Sequence, residues 1–208
     1  MTSNDPQAKI TVHPPEIPEF IYVPKLRLYV AKERALKGMN WNAQQNELWS
    51  RNDRMPTIPE FREFLNFLRT TYSDRREAEK ILDEVYKAES PWHGEYLDAK
   101  FEKEGELRYI NYHKFSPQGL IVPVRELIIP CLIEDKAPGI SLDAWLAKAT
   151  PQGLPLSNIQ KGELYYLAPK DGSVAGFSAN SDGPGLLCDG NPSFIYPSSG
   201  VRAIRHVA

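Results

Sequence analysis

The chain has 208 residues, of which 41% are hydrophobic and 25% are charged, and its formal net charge is −2. This length suits one well-buried domain. Because positive and negative charges are nearly balanced, the chain has no large basic surface that would attract nucleic acids or anionic membranes. We therefore expect neither nucleic-acid binding nor membrane attachment. The 18 prolines predict many loops and short elements.

The N-terminal segment, residues 1–19, combines several prolines with polar residues. Proline restricts the backbone and these residues have little surface to bury, so we predict an extended arm that contacts another subunit of a homo-oligomer or a larger assembly. Residues 20–208 are predicted to form a single domain. The sequence shows neither a secretory signal pattern nor an apolar run of membrane-spanning length, so we expect a cytoplasmic protein or one assembled in a particle.

The first predicted elements are a strand and a helix. Residues 20–30 are rich in β-branched and aromatic side chains and predict a strand that Pro24 interrupts. A helix is expected from Asn40, because three large apolar residues then recur on one helical face: Trp41, Leu48 and Trp49.

The second helix has the clearest signals in the chain. Thr57 and Glu60 have the spacing of a capping box, in which each side chain bonds the backbone N–H of the other residue. Pro59 is tolerated in the first helical turn, where its missing N–H costs nothing. An apolar stripe then follows at helical spacing: Phe61, Phe64, Leu65, Leu68 and Tyr72.

Later elements become shorter and more β-like. Helices are predicted from Asp74 and from Ser141, each after a capping residue. Strands are predicted at 96–101, 107–113, 119–124, 163–168, 173–179, 185–188 and 200–207. Residues 169–172 have the composition of a hairpin turn. Early helices followed by late strands predict an α+β fold.

Three segments resemble one protein family. The segment 54–61 reads Arg-Met-Pro-Thr-Ile-Pro-Glu-Phe, with Trp41, Ala43 and Leu48 upstream and Ser-Ser-Gly-Val-Arg-Ala-Ile-Arg at 198–205. Together they resemble the C-type lectin-like domain of the formylglycine-generating-enzyme branch, also called sulfatase-modifying factors. The resemblance implies helices packed on small antiparallel sheets, neighbouring N- and C-terminal strands, and exposed variable loops. Residues 74–160 would then be an insertion that elaborates the middle of the domain.

The candidate catalytic groups lack the spacing that catalysis requires. Oxidases of the resembled family need two neighbouring cysteines, whereas Cys131 and Cys188 lie far apart in the sequence and are expected to be small buried side chains. Whether the two pair in a disulfide stays open. His93 and His113 could meet Glu95 or Asp98 at a metal, but their spacing matches no metal motif, so we expect hydrogen-bonded histidines.

The C-terminal loops contain the best candidates for ligand binding. Polar and aromatic residues alternate there with glycine and proline, and the predicted site residues are Asn180, Asp182, Asp189, Phe194 and Tyr196. Their oxygen atoms, with those of Asn191, would suit Ca²⁺, yet the same residue types also form turns and the EF-hand spacing is absent. We expect no cofactor, with Ca²⁺ as the alternative.

These patterns lead to one functional hypothesis with two alternatives. The hypothesis is a non-enzymatic ligand-binding or display module that contacts a protein or a carbohydrate through its C-terminal loops. One alternative is an enzyme on the same scaffold, either of the formylglycine-generating type or a divergent hydrolase. The other is a structural protein that joins a larger particle through its proline-rich arm.

Overall fold

The computed structural model of the chain describes residues 14–87, 93–181 and 183–207, and within them the fold is α+β. The helices are α1 (Trp41–Trp49), α2 (Ile58–Thr70), α3 (Arg75–Tyr86) and α4 (Leu142–Ala147). The strands are β1 (Phe20–Val23), β2 (Leu28–Ala31), β3 (His93–Glu104), β4 (Leu107–Phe115), β5 (Ile121–Leu127), β6 (Lys136–Ile140), β7 (Leu164–Leu167), β8 (Val174–Asn180), β9 (Gly183–Gly190), β10 (Ser199–Gly200) and β11 (Ile204–His206).

The strands form two sheets of different character. A three-stranded antiparallel sheet has the order β1-β2-β11 and brings the two ends of the domain together. An eight-stranded sheet has the order β5-β4-β3-β8-β9-β7-β6, with β10 paired to β3. The prediction of small antiparallel sheets is wrong for this second sheet, which is large and mixed: β7 runs parallel to β9, and β10 parallel to β3.

The predicted hairpin turn at 169–172 exists as a turn but does not join neighbouring strands. Gly172 has a φ of +73°, which glycine adopts without strain. The turn connects β7 to β8, yet β9 lies between these two strands in the sheet. The N–H of Gly172 donates instead to the carbonyl of Phe101, at 2.8 Å. The backbone thus turns as predicted, while the strand pairing differs.

Two other predicted strands are divided in the structure. The segment 20–30 forms the hairpin of β1 and β2 rather than one strand interrupted at Pro24. The predicted strand at 200–207 is split: Ser199–Gly200 pairs with β3, and Ile204–His206 pairs with β2. The C-terminal segment therefore links both sheets. Strand β6 was not predicted.

Each helix begins where the sequence predicted, because a side chain caps it. Asn40, Thr57, Asp74 and Ser141 each accept a hydrogen bond from the backbone N–H three residues later. The capping box of Thr57 and Glu60 is complete. One detail is wrong: Trp41 and Leu48 are buried, but Trp49 is 38% exposed and packs its ring on His113, with centroids 4.7 Å apart.

Helix α2 is buried between the two sheets. One of its faces packs Phe61 and Leu65 against Phe177 of the large sheet. Its opposite face packs Phe64 and Leu68 against the three-stranded sheet. The region 74–160 supplies α3, β3–β6 and α4, and several of its side chains belong to the same core as Phe61.

The described end of the arm, residues 14–19, lies beside the first hairpin. The hydroxyl of Tyr29 donates to the carbonyl of Pro15, and the N–H of Lys32 donates to that of Glu19 at 2.9 Å. Residues 1–13 are outside the described ranges. None of the helices in those ranges combines the length and apolar character needed to cross a membrane.

Candidate functional site

An open groove of about 330 Å³ lies on one face of the large sheet. Because side chains alternate along a strand, β8 presents Ala175 and Phe177 to the core, whereas Gly176, Ser178 and Asn180 line the groove. Because Gly176 has no side chain, nothing projects into the groove at this position. A Cβ there would lie 3.2 Å from the carbonyl oxygen of Glu95 on β3.

Aromatic residues form one rim of the groove. Phe194 is 53% exposed and packs against Tyr196, with ring centroids 4.6 Å apart. The loop that carries both rings is attached to the large sheet, since the hydroxyl of Tyr96 on β3 donates to the carbonyl of Phe194 at 3.2 Å. Burial raises the pKa of Tyr96 to about 12, so its hydroxyl stays protonated and keeps donating at neutral pH.

The polar residues of the groove come from strands as well as from a loop. Asn180 ends β8 and Asp189 lies within β9, so the prediction that both are loop residues is wrong. Both line the groove together with Tyr196. The Nζ of Lys170 donates to Asp189 Oδ2 at 2.9 Å, which leaves the other carboxylate oxygen for a ligand.

The structure therefore gathers three of the predicted site residues, Asn180, Asp189 and Tyr196, with Phe194 beside them. Asp182 lies outside the described residues. Sequence analysis missed Tyr96 and Leu187, which also line the groove. One sequence signal could have pointed to this groove. Gly176 lies in the middle of a predicted strand, and a glycine there often marks a place where a ligand or another backbone approaches closely.

The Ca²⁺ alternative stays a hypothesis. The Oδ1 of Asn191 accepts from the N–H of Ser193 at 2.9 Å, as in an ordinary Asx turn, and Asp189 is paired with Lys170. In the part of the chain that the structure describes, three or more His, Cys, Asp or Glu residues nowhere meet in a group that could hold a metal.

The arginines of the segments 54–61 and 198–205 form ion pairs inside the protein. Arg54 is 1% exposed and pairs with both oxygens of Glu60. Arg205 donates to both oxygens of Asp53, each at 2.8 Å. Arg202 is fully buried and its Nε contacts Glu95 at 3.1 Å. These contacts join the start of α2, β3 and the C-terminal segment, which is a structural role.

The histidines are hydrogen-bonded, as expected. The backbone N–H of His113 donates to Asp98 Oδ2 at 2.8 Å, and its ring Nδ1 lies 3.1 Å from Oδ1. The ring of His93 is elsewhere and bonds the carbonyl of Glu84 at 2.5 Å. The two histidines therefore do not meet Glu95 or Asp98 together: His113 contacts Asp98, His93 contacts the carbonyl of Glu84, and Glu95 pairs with Arg202.

Both cysteines are buried, as the sequence predicted, and both are free thiols, which answers the question of pairing that the sequence left open. Burial raises the pKa of Cys188 well above its usual value and also raises that of Cys131. Because the thiolate is the nucleophile and the metal ligand, this environment disfavours thiolate chemistry at either residue.

Comparison with known proteins identifies no relative. No family model, no curated protein and no solved structure matches this chain. Function is therefore inferred from the groove, its residues and the fold that holds them.

Proposed function

We propose that the protein is a C-type lectin-like, non-enzymatic ligand-binding module that contacts a carbohydrate or a protein through the groove. The observation that carries this proposal is the convergence of Asn180, Asp189 and Tyr196 on one open depression, beside the exposed ring of Phe194. Planar polar groups next to an exposed aromatic ring are typical of recognition surfaces.

The arrangement of the chain ends supports the C-type lectin-like part of the proposal. Strand β2 pairs with both β1 and β11, so the N- and C-terminal strands of the domain are neighbours, as the resemblance implies. The ion pair of Arg205 with Asp53 joins the C-terminal motif to the segment before α2. The motif residues are thereby explained as a scaffold that supports the groove.

The dimensions and the rim of the groove favour different ligands. A volume of about 330 Å³ is at the lower end of the range for small-molecule sites, which favours a short saccharide. Phe194 and Ile195, each more than half exposed, would also suit an apolar contact with a protein. A carbohydrate is the first ligand class to test and a protein the second.

The enzyme alternative has weaker support from the site residues. A formylglycine-type oxidase needs two reactive thiolates, whereas both cysteines lie buried in the core on the far side of the sheet from Asn180 and Asp189. Asp98 and His113 do form a hydrogen-bonded pair, but neither residue lines the groove.

The proposal is tested by binding measurements with labelled protein on an array of immobilised oligosaccharides and, in parallel, on a library of displayed peptides. Phe194→Ala and Asn180→Ala should each reduce binding to any ligand that the wild type retains. Leu120→Ala is the matched control, because Leu120 is 63% exposed and lies outside the groove. Equal binding by all three variants, or no binding to either collection, would overturn the proposal.

A further inference from the structure

A second cavity, of about 230 Å³, lies where the hairpin end of β3 and β4 meets the turn at 169–172. No described residue lines both this cavity and the groove. The charged residues of its lining are Glu102, Lys103, Arg108, Lys170 and Asp171. What the cavity can bind depends on which of these charges the protein already pairs.

Lys103 and Arg108 lie directly opposite each other on β3 and β4. Because side chains alternate along a strand, both lie on the same face of the sheet as Phe101 and Ile110, which belong to the core. Phe101 also lines the cavity, so the two cations are on the cavity side of the hairpin. Like charges directly opposite each other destabilise a sheet. An anion bound between them would remove that cost.

Arg108 has a half-buried guanidinium that the fold leaves unpaired. Among the described residues, its side-chain nitrogen atoms have no hydrogen-bond partner, and none of them is shielded from solvent. Burial raises the pKa of Cys131 and of Tyr166, and the charge of Arg108 opposes that rise in both residues. The guanidinium therefore lies close to the core, with its donors accessible to a ligand.

Two of the other charges interact outside the cavity. Glu102 lies on the opposite face of β3, and its carboxylate is 3.6 Å from Lys100 and 3.8 Å from Arg125. The Nζ of Lys170 donates to Asp189, which belongs to the groove. Neither residue therefore cancels the charges of the opposed cations.

Asp171 supplies the carboxylate that remains beside the two cations. Its Oδ1 accepts from the backbone N–H of Lys103 at 2.8 Å. The N–H of Gly172 donates to the carbonyl of Phe101, also at 2.8 Å. These two bonds hold the turn against β3, so this side of the cavity is rigid. Two unpaired cations outweigh one carboxylate, and the cavity attracts anions.

We propose that this cavity binds the phosphate group of a small ligand, with Arg108 and Lys103 donating to its oxygens from opposite strands. The guanidinium of arginine matches the geometry of phosphate oxygens and can donate two parallel hydrogen bonds. A phosphate monoester carries close to two negative charges at neutral pH, whereas a carboxylate carries one, so phosphate balances the opposed cations better. A metal ion would be repelled by both.

The experiment is a ¹H–¹⁵N NMR titration of the whole chain with sodium phosphate at neutral pH, with sodium chloride keeping the ionic strength constant. The Nε–H signal of Arg108 and the backbone amides of Lys103 and Gly172 should shift in a saturable manner. Sodium acetate is the control, because its anion has a single charge, and it should shift these signals much less. Unmoved signals, or equal saturable shifts with acetate, would overturn the proposal.

A second titration, with phenyl phosphate, distinguishes a phosphate ester from free phosphate. Ile128 and Pro169 line the cavity and offer apolar contact to the body of an ester. Phenyl phosphate should therefore bind more tightly than inorganic phosphate. Equal affinities would assign the site to free phosphate, and failure of both compounds to bind would overturn the proposal.

Variants then assign the binding to these side chains. Arg108→Gln should weaken phosphate binding about tenfold, since charge-assisted hydrogen bonds are roughly twice as strong as neutral ones. Arg51→Gln is the matched control, because Arg51 is 54% exposed, pairs with Glu47 and lies outside the cavity. Asp171→Asn should tighten binding, since the amide oxygen can keep the hydrogen bond from Lys103 while the negative charge is lost. Unchanged affinity in both Arg108→Gln and Asp171→Asn would contradict the assignment.

Thermal unfolding separates binding from a structural role of Arg108. The Arg108→Gln substitution removes one of two like charges and, within the described part of the chain, no hydrogen bond. In phosphate-free buffer its Tm should therefore equal or exceed that of the wild type. Added phosphate should raise the Tm of the wild type and leave that of Arg108→Gln in place. A lower Tm of Arg108→Gln without phosphate would show that Arg108 stabilises the fold by itself and would overturn the proposal.

Discussion

Glu60 caps helix α2 and binds Arg54 with the same carboxylate. Its Oε2 accepts from the N–H of Thr57 at 2.9 Å, while Arg54 donates to Oε2 at 2.7 Å and to Oε1 at 2.5 Å. Arg54 is almost completely buried. One carboxylate thus satisfies both a backbone donor at a helix start and a guanidinium in the interior.

This double role predicts unequal costs for two substitutions at the cap. Thr57→Ala removes only the capping hydroxyl and should lower the free energy of unfolding by about 1 kcal/mol. Glu60→Ala also leaves the buried charge of Arg54 without its carboxylate partner and should lower the free energy of unfolding by about 3 kcal/mol or more. Chemical denaturation of both variants measures the difference. Equal costs would show that the Arg54 pair contributes no stability beyond the cap.

The same pair predicts acid sensitivity. Burial raises the pKa of the Glu60 carboxyl, but Arg54 and Thr57 together lower it by more, so its net pKa lies below the ordinary value. A carboxyl with a depressed folded-state pKa stabilises the fold above its unfolded pKa, about 4.3, and loses that contribution as the pH falls. The gap in unfolding free energy between wild type and Glu60→Gln should therefore shrink from pH 7 to pH 3 in urea titrations. A constant gap would contradict this account.

Two glycines with positive φ should respond very differently to alanine. Gly153 has a φ of +81°, and a Cβ there would lie 2.7 Å from Ile58 Cγ2 and 2.8 Å from the backbone nitrogen of Pro59. Gly38 has a φ of +74°, but nothing lies within 4 Å of its Cβ position. Gly38→Ala should lower the free energy of unfolding by about 1 kcal/mol through backbone strain alone. Gly153→Ala should lower it by about 2 kcal/mol more, because its Cβ also clashes with α2. Thermal unfolding of the two variants compares them directly.

Tyr96 links the aromatic rim to the sheet, and this link should depend on pH. Burial raises the folded-state pKa of Tyr96 to about 12. The contribution of its protonated hydroxyl to stability is therefore complete below the pKa of the unfolded state and is lost as the pH rises towards 12. Tyr96→Phe should cost about 1 kcal/mol at neutral pH through the lost hydrogen bond to Phe194. In urea titrations from pH 8 to pH 11, the gap to wild type should narrow. A gap that widens instead would rule out this role for the hydroxyl.

The elements that could be predicted from sequence are those whose signals are local. A helix cap is encoded within four residues, and the starts of all four helices were found from Asn40, Thr57, Asp74 and Ser141. Strand partners are chosen across long distances, so the pairing of β9 between β7 and β8 could not be inferred from the turn at 169–172. Local chemistry determines where the chain turns, and packing determines which strands meet.

The candidate site could likewise be predicted only in part. The residue types near the C-terminus indicated recognition, and Asn180, Asp189 and Tyr196 do converge. Their meeting depends on the register between β8 and β9, where Val174 pairs with Gly190. That register includes an irregularity that no short pattern reveals.

The two rings at the rim of the groove should differ in what they contribute to folding and to binding. Phe194 is 53% exposed, whereas Tyr196 packs against the cluster that includes Trp41 and Val201. Phe194→Ala should change the free energy of unfolding by less than about 0.5 kcal/mol, and Tyr196→Ala should lower it by about 2 kcal/mol. If the groove is the binding site, Phe194→Ala should nonetheless weaken ligand binding by over about 1 kcal/mol. Denaturation and titration calorimetry on the same samples provide both quantities. A Phe194→Ala protein that is destabilised, yet binds normally, would make this ring part of the packing and place the ligand elsewhere on the surface.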